Sequence, residues 1–405
     1  GWNYFPPHAD SVLGIASAED SRQTLRAVII LDFSFYICSM EKLNITLLGP
    51  AHPYRGGLAI IMQTMARVFQ RDGHRVDLKT FTVQYPQWLF PGKSQFVDTP
   101  APDDLRIERC VSTVNPFNWL RMGLRIRRER PDIVLLKYWT PFMAPCFGTI
   151  ARLARRNGHT RFLCQIDNVE PHERHLFDRW FNRWFLGAVD GFVYMSEQVH
   201  RELECYTNAP ALFSPHPRFD SYGEPVDRTE ACRRLGLDPQ RRYALFFGLI
   251  REYKGLDWLL EAWAKLRAEG RIGSEWRLIV AGECYTDPEP YRRRIVQSGL
   301  EEEVTFHDRF IPDERVKDYF SAAEFLVLPY KSATQSGVTQ IAYQFRLPVI
   351  VTRVGGLAEI VPDDRVGFVC PPSPEGVADA IERIADPETL ARFRANMERE
   401  RERFS

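Results

Sequence analysis

Apolar residues recur along this chain in two successive series of short buried runs, each closed by glycine, proline or a polar loop. Leu43 to Gly49, with Ile45, Leu47 and Leu48 around Asn44 and Thr46, is a buried-strand run ending at glycine. Leu58 to Gln70 carries apolar residues at spacings of three and four, which predicts a helix, and Arg75 to Thr82 reads as the next strand. Further strands are expected at Asp132 to Leu136, Arg161 to Ile166 and Gly191 to Met195. The pattern restarts near Arg242. It predicts a strand over Tyr243 to Gly248, a helix over Gly255 to Leu266, and strands at Trp276–Gly282, Val304–His307, Phe325–Pro329 and Pro348–Thr352. Ser373 and Pro374 then read as the cap and first turn of a helix to Asp386, and Pro387 to Phe404 as a second, whose charged end Glu398–Arg403 is a solvated face. Strand–helix alternation of this kind predicts two doubly wound parallel sheets, with ligands at the carboxyl ends of the strands. The join falls around Pro215 to Asp227, giving units 40–222 and 223–405.

Residues 1–39 do not fit the pattern. They carry no Met before Met40, and a clean strand follows Met40 at once. Ala27 to Cys38 could serve as a signal segment, but it is short and broken by Asp32. The segment reads as an extension outside the fold, with Met40 close to the natural start and residues 1–39 dispensable for folding.

Composition narrows the class. The 405 residues are 44% hydrophobic and 26% charged with zero formal net charge, which suits a globular enzyme and gives no reason to expect nucleic acid. The two units differ in balance: 24 Lys and Arg against 18 Asp and Glu over 40–222, and 27 against 31 over 223–405. A basic first unit suits an anionic partner, although ordinary surface drift gives the same count. No apolar run is long enough to span a bilayer. The 8 cysteines are scattered, without a C-x-x-C pair, as in a reducing, cytoplasmic compartment. No metal site and no cofactor is expected.

Two loops carry candidate chemistry. Gly56 and Gly57 stand at a helix start after the first strand, where backbone N–H groups can approach an anion; a tight turn would use the same glycines. The second unit opens with a strand, Gly248, then Arg251, Lys254 and Gly255 at a helix start. Two cations and two glycines there suit a pyrophosphate, and would stabilise the charge of a departing nucleoside diphosphate.

Over roughly Leu43 to the C-terminus, and most strongly after Tyr243, the chain resembles the retaining glycosyltransferases of family 4. Val280-Ala281-Gly282-Glu283 is similar to their strand-end glycine, and Val304–His307 with Phe310-Ile311-Pro312 to their base-binding turn. Leu326–Tyr330 is similar to the strand before the donor loop. Pro348–Thr352, Gly355-Gly356-Leu357-Ala358-Glu359 and Gly367-Phe368-Val369 are similar to the closing motif. The resemblance implies a GT-B fold, two facing Rossmann-like domains with a cleft between them. It implies a nucleotide-sugar donor held mainly by the second domain, a glycan or lipid-linked acceptor on the first, and no obligatory metal. Lys254 matches the phosphate lysine; Leu249 stands where the family has arginine, and Arg251 is the substitute proposed here. The family's paired glutamates, eight positions apart, fall on Ala333 and Ile341. Thr334, Gln335, Ser336, Gly337 and Val338 remain to bond phosphate or sugar, and His172 is the candidate for contact with the donor sugar; a surface-loop role is its alternative. His216 reads more simply as a turn residue. A divergent active transferase is the preferred reading; a non-catalytic sugar-nucleotide binder and a GT-B epimerase are the alternatives.

Two expectations concern shape. In the family the last helices cross back to the first domain, but Pro387 to Ser405 offers little apolar surface for that, so the domains should be weakly tied and closed by donor. Arg179–Phe185, with Arg121, Arg125, Arg127, Arg128 and Arg130, makes a basic aromatic face. It suits either a peripheral contact with the inner face of the membrane or a buried helix side.

Overall fold

The computed structural model describes residues 42–86, 94–170, 177–214, 222–334 and 336–400. The candidates His172 and Gln335, like His216 and residues 1–39, lie outside the described residues.

The first sheet is built from β1 (Asn44–Leu48), β2 (Arg75–Val83), β3 (Ile107–Ser112), β4 (Ile133–Tyr138), β5 (Arg161–Ile166), β6 (Gly191–Tyr194) and β7 (Ala211–Phe213). All its pairings are parallel, in the order β3-β2-β1-β4-β5-β6-β7. Its helices are α1 (Gly57–Arg71), α2 (Pro116–Glu129), α3 (Ala144–Ala154), α4 (Asp178–Leu186) and α5 (Glu197–Glu204). The second sheet, order β10-β9-β8-β11-β12-β13, is also parallel. Its strands are β8 (Arg242–Phe247), β9 (Trp276–Gly282), β10 (Val304–Asp308), β11 (Phe325–Leu328), β12 (Val349–Thr352) and β13 (Gly367–Cys370). Its helices are α6 (Arg228–Leu235), α7 (Leu256–Ala268), α8 (Glu289–Gln297), α9 (Asp313–Ala322), α10 (Gly337–Gln344), α11 (Leu357–Ile360), α12 (Pro374–Ile384) and α13 (Pro387–Glu400).

Central strands are buried throughout: every residue of β4, β11 and β12 is buried, Lys137 of β4 included. A parallel sheet is covered on both faces, so its inner strands lose the alternation of a half-exposed strand. The Ser373 side chain accepts from the Gly376 N–H at 3.0 Å and Pro374 occupies the first turn of α12, as the sequence predicts.

In each sheet the strand order reverses beside the first strand, at β1/β4 and at β8/β11. A crevice opens outside the carboxyl ends at such points. Contacts cross between the two units there. Arg55 bonds Glu283, and Thr334 bonds Asn168. Ile60, Ile61 and Met65 of α1 pack with the core that holds Tyr330, Ile341 and Leu357. The last described helix, α13, buries Leu390 and Phe393 in the second unit's own core and touches α10 and α12. Among the described residues no helix is long and apolar enough to cross a membrane.

Candidate active site

The second unit supplies a compact set of groups at the β8/β11 switch. β8 ends at Gly248, whose φ of 108° lies in the region glycine tolerates. Its neighbour β9 ends at Gly282, where an added Cβ would stand 1.9 Å from the Gly248 carbonyl oxygen, so both turns must be glycine for the strands to end side by side. Beyond Gly248 the chain runs through Arg251 into a single 3-10 turn, Glu252–Lys254, and Gly255 starts α7. Gly255 has φ of 70°, and a Cβ there would meet the Pro329 carbonyl oxygen at 1.9 Å. This contact clamps the loop against the end of β11.

Lys254 is thereby held under Tyr330. Its Nζ lies 5.3 Å from the Tyr330 ring centroid and 3.4 Å from where a Gly248 Cβ would be. Burial pushes the Lys254 ammonium below the ordinary lysine value; Tyr253 works against this and the charge of Arg251 adds to it. Arg251 lies over the Tyr285 ring at 5.0 Å. Among the described residues no carboxylate pairs with Lys254 or Arg251. The Tyr330 hydroxyl is 3.2 Å from Ser336 Oγ, which accepts from the Val338 N–H at 3.3 Å and caps α10. The Val338 side chain reaches within 3.4 Å of the Gly248 Cβ position. Gly248, Lys254, Ser336, Gly337 and Val338, chosen from sequence, thus converge, with Arg251 beside them.

Other candidates stand further round. Ile311 is buried and lines a pocket of about 240 Å³ with Arg309, Phe310, Pro312, Arg315 and Tyr319. The Glu359 carboxylate accepts from the Glu197 N–H at 3.3 Å, so it sits on the seam between the units. Thr334 Oγ1 donates to the Asn168 side-chain oxygen, also across the seam. The positions of the absent glutamates, Ala333 and Ile341, are both buried apolar residues.

The first unit contributes the loop after β1. Gly56 precedes α1 with φ of 97° and open space around its Cβ position, so backbone conformation alone selects glycine there, and no side chain caps α1. Gly57 is its first residue. Arg55, in the same loop, bonds Glu283 and lies 4.5 Å over the Phe310 ring. At the β1/β4 switch, Lys137 Nζ donates to Asp167 Oδ1 at 2.6 Å in a buried pair; burial raises the Asp167 pKa while Lys137 pulls it down.

Sequence reasoning did not single out Arg55 and Glu283, although both lie in segments it marked. It also passed over Tyr330, which links Lys254 to Ser336, and Gln340. The Gln340 side chain is fully buried and neither amide atom has a hydrogen-bond partner among the described residues. A buried run of the type Thr339-Gln340-Ile341 carries no periodicity that would mark one polar side chain as unsatisfied.

The family model described as glycosyl transferases group 1 matches residues 241–386, and the glycosyl transferase 4-like domain matches 56–213. The chain belongs to the group 1 glycosyl transferases. It is 27% identical over 244 residues to an alpha-D-kanosaminyltransferase of Streptomyces kanamyceticus, covering 56% of this chain and 61% of that protein. It is 32% identical over 229 residues to D-inositol 3-phosphate glycosyltransferase 2 of Catenulispora acidiphila, covering 54% and 53%. The matches therefore span little more than half of these relatives. Among solved structures, sucrose-phosphate synthase from Thermosynechococcus elongatus superposes with a TM-score of 0.68 at 20% identity, over 89% of this chain and 94% of that one. Anabaena HepE in complex with UDP-glucose gives 0.67 at 14%, over 89% and 96%. These likenesses establish the two-domain GT-B fold of this family member.

Proposed function

We propose that this chain transfers a sugar from a nucleotide-sugar donor to a glycan or lipid-linked acceptor, with retention of configuration, on the cytoplasmic side of a membrane it contacts peripherally. Residues 223–405 hold the donor and 40–222 the acceptor. The carrying observation is the partly buried Lys254 ammonium beside Arg251, with no carboxylate on either among the described residues. A desolvated cation is costly unless paired, and a diphosphate is the partner that the adjoining Gly248 turn and the α10 N-terminus would admit. The fold neighbour that carries UDP-glucose supports the same class of donor.

In this reading the donor diphosphate lies between Gly248–Lys254 and Ser336–Val338. The bond from the anomeric carbon to the phosphate oxygen breaks while the acceptor oxygen bonds that carbon on the same face. The acceptor proton passes to the departing phosphate. Arg251 and Lys254 stabilise the charge left on the diphosphate, and the fold fixes them in place before reaction. Thr334, Gln335, Gly282 and Glu359 frame the sugar and phosphates, Ile311 the base, and His172 meets the sugar from the first unit. The acceptor lies near Gly56 and Gly57.

A donor panel monitored for nucleoside diphosphate release, with and without acceptors, tests this. Acceptor-dependent release supports transfer. Tight donor binding without release on any acceptor indicates a binder, and acceptor-free conversion of the donor sugar an epimerase.

A further inference from the structure

The outer surface of the first unit is the least expected part of the molecule. α2, α3 and α4 pack side by side, α3 in the middle. Their mutual contacts are closed by glycine: a Cβ on Gly123 of α2 would meet Leu153 of α3 at 2.7 Å, and one on Gly148 of α3 would meet the Trp184 ring of α4 at 2.6 Å. The inner faces are therefore full, yet both outer helices present apolar stripes to solvent. On α2 the stripe is Phe117, Leu120 and Leu124, with Phe117 82% exposed. On α4 it is Phe177 at its cap, Trp180 and Trp184, with the first two 67% and 64% exposed. The spacing, i, i+3 and i+7, places each set on one helix side. The Trp180 and Trp184 rings stack at 16°, and Arg152 lies 3.9 Å over Trp184. The sequence left open a buried side for α4; that side exists and is made by Asn182, Phe185 and Leu186, with the stripe lying outside it.

Charge completes the pattern. Arg121, Arg127 and Arg128 on α2, and Arg179 and Arg183 on α4, are exposed and have no ion-pair partner among the described residues. The one acidic residue of α2, Glu129, is already bonded to Lys79 and Arg125. Outward aromatics among unneutralised arginines are the composition of a surface that lies in the headgroup layer of an anionic bilayer. Parallel strands fix the direction as well. α2 begins just after β3 ends and runs back along the sheet, so Phe117 stands at the edge from which the cleft opens.

We infer that the α2 and α4 stripes form a docking surface for an anionic lipid bilayer, which brings the cleft edge to a membrane-held acceptor. The inference deepens the lipid-linked reading above and rests on it only for its purpose; docking itself is independent of catalysis. The test is co-flotation of the full chain with vesicles of phosphatidylcholine alone and of phosphatidylcholine mixed with phosphatidylglycerol. Acceptor-free donor hydrolysis and donor binding are measured in parallel, so that loss of docking and failure of the transferase reading are separate results. The expected result is flotation with the anionic vesicles only, weakened by salt. Combining Phe117→Ser and Trp180→Ser should lower partition at least about tenfold with donor binding unchanged. Combining Arg121→Glu and Arg128→Glu should do the same, and serves if the serine variant melts early. A chain that never floats overturns the inference, as do variants that float like the parent. So does a concentration-dependent dimer in light scattering that Trp180→Ser dissolves, which would make this face a protein interface.

Discussion

Lys254 and Arg251 decide whether the second unit is an anion site. Removing either, as Arg251→Ala or Lys254→Ala, should cost about 2–4 kcal/mol of transition-state stabilisation, read as kcat/KM in turnover assays. Near-parental turnover in both variants would remove the assignment. The depressed Lys254 pKa adds a pH dependence. The charged lysine is the form that binds diphosphate, so nucleoside diphosphate affinity should fall as pH rises through that lowered value, earlier than for an ordinary lysine. In Lys254→Arg the fall should move to higher pH, because arginine stays protonated. Calorimetric titration across alkaline pH checks both. These two cations were legible in the sequence because strand, glycine, cations and glycine follow one another within one loop. Arg55 with Glu283 was not: 228 positions separate them, and only the facing of two sheets brings them together.

At the scale of elements, α10 joins fold to site. Ser336 caps it and also meets Tyr330. Ser336→Ala should cost about 1 kcal/mol in thermal stability and weaken diphosphate binding as well; a loss of stability with unchanged binding would make the cap purely structural. β5 and β9 begin and end where the sequence placed them, although Gln165 interrupts the first run and Arg277 the second. β3 and β7 were missed because they are edge strands with half-exposed positions, and Ile107–Ser112 mixes Glu108 and Arg109 into its run. α2 was seen only as an arginine cluster. Its exposed apolar stripe defeats the usual rule that the apolar side of a helix faces the core.

For the whole molecule the question is how firmly the halves are tied. The expectation of a weak tie rested on the charged end of the chain, and α13 through Glu400 does pack on its own unit. The seam nevertheless holds Arg55–Glu283, with side chains only 9% and 2% exposed, and the apolar contacts of α1. Arg55→Ala leaves Glu283 buried without that cation, so it should lower stability by about 3–5 kcal/mol; adding Glu283→Ala should recover part of the loss. Denaturant titration of both variants checks this, and equal stability for the single and double variants would contradict the coupling.

Transfer itself is the central claim. Its most direct measurement is nucleoside diphosphate released per glycosylated acceptor formed, for the parent and for a folded variant combining Arg251→Ala and Lys254→Ala. The account predicts one diphosphate per product for the parent and near loss of both in the variant. Donor binding with no product on any acceptor, or a variant that turns over like the parent, would contradict it.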